Sequence, residues 1–84
     1  MQNETTTSSH GSYNEQEDGK CIGIKIAIEI AYDKAEKALM KQLQINDSYR
    51  LVSYEIVEVN GKSINGEFAA NVTINAVIEK IGKE

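Results

Sequence analysis

One cysteine and one histidine in 84 residues leave little for covalent or metal staples. Cys21 alone cannot close an intrachain disulfide, and together with His10 it falls short of the four ligands of a structural zinc site. No apolar run approaches the about 20 residues of a membrane-spanning helix, and the N-terminus lacks the basic-then-apolar order of a secretion signal. A cytoplasmic protein without a membrane partner is the expectation. An excess of basic residues is missing too: nine Lys and Arg against 13 Asp and Glu, a formal net charge of −4, argue against a nucleic-acid partner. The chain has no phosphate loop, dinucleotide glycine fingerprint, nucleophile elbow or His-Glu zinc helix. Cys21 with His10 is the sole nucleophile and base pairing, and no sequence feature orients it. No catalytic residue and no metal site are expected, and the protein reads as a non-enzyme.

Large apolar side chains are absent from residues 2–20 apart from Tyr13, while Thr, Ser, Asn, Gln, Glu and Gly abound there. Such a composition buries too little to offset the entropy of ordering, which predicts a disordered polar tail over residues 1–20. The folded domain is then expected at 21–80, with a charged, frayed end at 81–84. A core of that size is marginal alone, and with disulfide and metal excluded, self-association is the remaining staple.

Ile22, Ile24, Ile26, Ile28 and Ile30 occupy every second position, which puts them on one face of an extended strand. β-branching suits the pleat, so the pattern predicts a strand over 21–31. A helix over 22–43 is the competing reading, and it would spread the isoleucines around its circumference and require burial all round. Asp33 with Glu36 three places on resembles a capping box, and Ala35, Ala38, Leu39, Gln42 and Leu43 follow helical spacing, predicting a helix over 34–45. Asn46, Asp47 and Ser48 supply turn chemistry after it.

Residues 49–59 return to strand composition with apolar side chains on both faces: Leu51, Val57 and Val59 on one, Val52, Tyr54 and Ile56 on the other. Either a bulge switches the phase part-way, or both faces are covered. Asn60-Gly61 and Asn65-Gly66 are both hairpin dipeptides, and the register between them stays open. Phe68, Ala70, Val72, Ile74, Ala76 and Ile78 then alternate cleanly as a last strand. The expected fold is α+β: a β-α-β-β domain with a three-stranded antiparallel sheet and one helix packed on one face.

Asn71, Thr73 and Asn75 form a polar ladder opposite the apolar face of the last strand, suited either to solvent or to a polar ligand. Tyr32, Tyr49 and Tyr54 offer stacking surface. Strand, helix, long strand, an Asn-Gly-Lys turn and the closing run Gly-Glu-Phe-Ala-Ala-Asn-Val-Thr-Ile-Asn-Ala-Val-Ile-Glu together resemble the dodecins, over residues 20–80. The resemblance implies a small homo-oligomer that binds flavin-type ligands between subunits. It places Tyr49 where family members carry the aromatic residue that stacks on the flavin. Ala69 stands where members have a ring-contacting Gln, and residues 30–33 replace their polar turn ahead of the helix. Two functions remain in view: a homo-oligomeric small-molecule-binding or storage module holding its ligand through Tyr49, Asn71, Thr73 and Asn75, or a small interaction module docking on another protein through its exposed sheet.

Overall fold

The computed structural model describes residues 4–20, 22–45 and 49–80, with the side chains of 44 and 45 excepted. Three strands form one antiparallel sheet: β1 (Glu4–Asn14), β2 (Tyr49–Ile64) and β3 (Glu67–Lys80), in the order β1-β3-β2. A one-turn helix, α1 (Glu15–Asp18), and a long helix, α2 (Ile24–Ile45), separate β1 from β2.

The expected β-α-β-β arrangement with its first strand at 21–31 is corrected by these elements. The isoleucine stretch is the first half of α2, and the first strand comes from the segment read as a disordered tail. What decides for the helix is a different set of residues: Ala27, Ala31, Ala35 and Leu39, four apart, are all fully buried. A row at that spacing lines one side of a helix, and it is small enough for the sheet to approach closely. The Gly23 carbonyl accepts from the Ala27 N–H at 3.1 Å and opens the helix. Asp33, read as a cap, lies inside it and pairs with Lys37 at 3.2 Å on its exposed face. The expected turn at 46–48, Cys21 and the C-terminal residues 81–84 lie outside the described residues.

β1 is built to meet that row of alanines. Ser9, Gly11 and Tyr13 point to the helix and are buried. The Ser9 hydroxyl donates to the Ala35 carbonyl at 2.9 Å, so the buried polar atom is satisfied. A Cβ on Gly11 would sit 2.1 Å from the Ala31 carbonyl oxygen and 2.4 Å from the Ala35 nitrogen. Only glycine lets strand and helix backbones come this near. Tyr13 reaches over to donate its hydroxyl to the Gly19 carbonyl, beside the Asn14 cap of α1, whose side-chain oxygen accepts from the Glu17 N–H at 2.9 Å.

The middle strand, β3, supplies Ala70, Val72, Ile74 and Ala76 to the same core. β2 leads into it through a two-residue turn at Asn65 and Gly66, whose φ values of 53° and 82° are both positive, the requirement of a type I′ hairpin. Gly61 of the other Asn-Gly pair lies within β2, under Ile24 and Ile28. Register shifts between Leu51 and Ser53 and between Ile56 and Glu58 explain the mixed faces of β2. Each bulge turns the phase once, so Tyr54, Ile56, Val59 and Gly61 all pair with β3 residues on the helix side.

Candidate functional site

α2 packs chiefly on β1 and β3 and lies less closely on β2. At about 33 Å for its 22 residues, it cannot cover a molecule 54 Å long. Because α2 sits over the other two strands, the helix side of β2 is left open: Tyr54 is 41%, Ile56 45% and Val59 53% exposed. Alongside α2, Ile56 and Val59 bound an open groove of about 680 Å³, whose apolar lining comes from Ile26, Ile28, Ile30, Ile56, Val59 and Val72. Glu29, Asp33, Lys34 and Lys37 supply charge along its margin.

Tyr32 on α2 also lines the groove, and its hydroxyl lies 3.0 Å from that of Tyr54 on β2. The pair bridges helix and strand where the two elements otherwise part. Hydrogen bonding to Tyr54 is the main reason that the Tyr32 phenol is pushed up to about 12, with partial burial and the nearby Glu36 carboxylate adding to it. The neutral phenol is the form the fold favours. The stabilisation from this bond is therefore complete below the ordinary phenol range near pH 10 and is lost as pH rises towards about 12. Tyr54→Phe is expected to bring Tyr32 back toward the ordinary range, seen as a downward shift of its phenolate absorbance titration, with burial and Glu36 still acting on it. An unchanged titration would mean that the two hydroxyls do not meet.

The opposite face of the sheet is polar. Asn71, Thr73 and Asn75 lie there on the middle strand, opposite Ser12, His10 and Ser8 of β1 and Asn60, Glu58 and Glu55 of β2. Thr73 donates to the Glu58 carboxylate at 3.0 Å. With that proton committed, the His10 Nδ1, 3.1 Å from the Thr73 oxygen, is the donor of the second bond, and one chain of hydrogen bonds crosses all three strands. His10 and Glu58 joined Thr73 without any sign in the sequence, since the pairing depends on β1 being a strand at all. Tyr49 is not brought to this ladder: it pairs with Lys80 at the end of the sheet, five positions beyond Asn75 and on the opposite pleat. The four residues singled out in the sequence thus do not form one site.

At the third corner of the fold, Lys34 holds Asp18 in an ion pair. That hydrogen bond, followed by the Asn14 N–H, keeps the Asp18 carboxyl below its ordinary range. The contact ties α1 to α2. Among the described residues, no group of three or more His, Cys, Asp or Glu could hold a metal ion, and no helix is long and apolar enough to cross a membrane. No family model, no curated protein and no solved structure matches this chain.

Proposed function

We propose that this protein is a non-enzymatic, homo-oligomeric module of the cytoplasm that binds or stores a small, flat, largely apolar molecule in the groove between α2 and β2. The observation that carries the reading is the groove itself: about 680 Å³ with an isoleucine and valine lining and a phenol at its wall. Ligand sites are typically concave and apolar with a few polar groups that fix orientation, and this one matches that description. A phenol raised to about 12 is a poor proton acceptor at neutral pH, so Tyr32 suits hydrogen bonding to a ligand better than acid-base chemistry. Ring systems of the flavin type are of a size for the groove, which keeps the ligand class implied by the dodecin resemblance within the proposal. In this reading the ligand lies against Tyr32, Ile28, Ile56 and Val59, in place of Tyr49, Asn71, Thr73 and Asn75.

Docking on another protein by strand addition is less well supported. β2 is an edge strand, but two bulges interrupt it, and Arg50, Glu55, Glu58 and Lys62 put charge along it. Bulges and charges are how natural edges are blunted against pairing.

The test is a thermal-shift panel of flavins, nucleotides and divalent metals. A ligand that binds only the folded state at a hundredfold excess over its Kd adds about 2.7 kcal/mol, on the order of ten degrees in a domain of this size. A flavin or similar flat ring is expected to give a shift of that order, and Val59→Glu is expected to abolish it. No shift from any compound in the panel would sink the reading.

A further inference from the structure

We infer that a second copy of this chain seats on the outer surface of the first half of α2 and on the adjoining strand β2, roofing the groove. This inference rests on the assembly part of the reading above and names the surface. Eight large apolar residues are exposed among the described residues, from Ile24 at 38% to Ile22 at 92%; Ile22 and Ile24 stand just before and at the start of α2, and Tyr54, Ile56 and Val59 are on the helix side of β2. By the scale of the roughly 150–250 Å² that one whole aromatic side chain buries, these five exposures leave a few hundred Å² of apolar surface in water. That is a large part of the apolar share of the about 800 Å² per partner that a stable interface buries. The far face of the sheet carries Ser8, His10, Ser12, Glu55 and Glu58 along its middle and Ile64 only at its hairpin end, opposite Glu67, so the groove side is the more apolar of the two.

The helix contributes a geometry as well as an area. Ile26 and Ile30 are four apart on α2 and form a row along it, and Ile22 stands just before the first turn of the helix. Ile26 and Ile30 of that row border the groove together with Ile56 and Val59. Two such rows packed antiparallel about a two-fold axis at Ile26 bring the N-terminal end of α2, where Ile22 is, toward Ile30 of the other copy. The same axis brings Lys25 to within about 3 Å along the helix of the other copy's Glu29, given 1.5 Å per residue. Opposite charges thus meet at the rim of an apolar contact, which is an isologous, closed arrangement. Strand addition along β2 is opposed by its two bulges.

Light scattering after size exclusion, on the full chain at several concentrations, reads the outcome. The wild type is expected to run as a dimer or a larger even-numbered assembly. Because Ile22 is exposed in the single chain, Ile22→Glu leaves its fold intact, and it is expected to raise the dissociation constant by about a hundredfold, giving the 9.3 kDa monomer. Ser8→Lys, on the polar face, is expected to keep the wild-type mass. A wild type that stays monomeric at every concentration would overturn the inference. So would a trimer, an Ile22→Glu variant that assembles like the wild type, or dissociation by Ser8→Lys in place of Ile22→Glu. Running the flavin panel on the wild type beside the mass measurement separates the two readings: a thermal shift in a wild type that never assembles removes the second copy and keeps the ligand, whereas assembly without any shift keeps the second copy and removes the ligand.

Discussion

Gly11→Ala is expected to destabilise the domain by about 3 kcal/mol or more, the largest loss from a single methyl group anywhere in the fold. The added carbon would lie 2.1 Å from one backbone atom of α2 and 2.4 Å from another. Backbone atoms in mid-helix cannot rotate away as a side chain can, so strand and helix must separate. Overpacking of this sort costs about 1–3 kcal/mol and sometimes more. Separation would also strip the Ser9 hydroxyl from the Ala35 carbonyl, leaving a buried donor unpaired at roughly 1–3 kcal/mol. Against a total stability of about 5–15 kcal/mol for a domain, urea denaturation would show a large fall in midpoint. A variant as stable as the wild type would place β1 away from the helix and restore residues 1–20 to the status of a tail.

Ile74→Ala should cost about 2–5 kcal/mol, the range for removing a large aliphatic side chain from a core. Ile74 is fully buried on the middle strand, among Val72, Ala76, Leu39 and the alanines of α2. Its neighbours on β3 and α2 are already small, so they have little side chain with which to fill the space. The comparison that makes the measurement informative is Ile56→Ala, its cross-strand partner on β2, which is 45% exposed and should cost less than half as much in the monomer. Equal costs for the two would mean that β2 is as well covered as β3, contrary to the open groove. In the assembled protein the Ile56 cost should rise, because the second copy buries it.

The two corrections to the fold share one cause. Isoleucine at every second position satisfies a strand locally, and nothing within 21–31 contradicts it. The residues that decide are the alanines at 27, 31 and 35, which look like filler in either reading. Their value appears only against a partner surface that is equally small. That surface is Ser9 and Gly11, in a segment whose polarity argued for disorder. Burial of a large apolar residue was the signal sought, whereas this contact buries backbone against backbone, with one hydroxyl satisfied by a helix carbonyl. The isoleucines in turn do not all find cover within the chain: Ile22 stays 92% exposed.

The candidate site was less legible than the fold. Tyr32 and Tyr54 were noted as stacking surface, but their hydroxyl contact requires the helix to start well before residue 32. Asn71, Thr73 and Asn75 do share a face, as alternation on one strand demands, yet the residue that Thr73 engages across β1 is His10, which was placed in the tail. Tyr49 was separated from the ladder by strand length and pleat, both of which follow from a register that two Asn-Gly pairs left undetermined.

By itself the sequence determined what local chemistry can determine: the last strand, through six apolar residues in strict alternation; the need for a turn in residues 60–66; and the shortage of disulfide, metal or bulk with which to close a core. Tertiary structure decided everything that depends on a partner surface. It chose Asn65-Gly66 over Asn60-Gly61, because Gly61 is needed beneath Ile24 and Ile28. It turned an isoleucine strand into a helix and a tail into a strand, because small residues are a packing signal only when two rows of them face each other. Close packing is a property of pairs of elements, and a periodicity read along one chain segment contains only half of each pair.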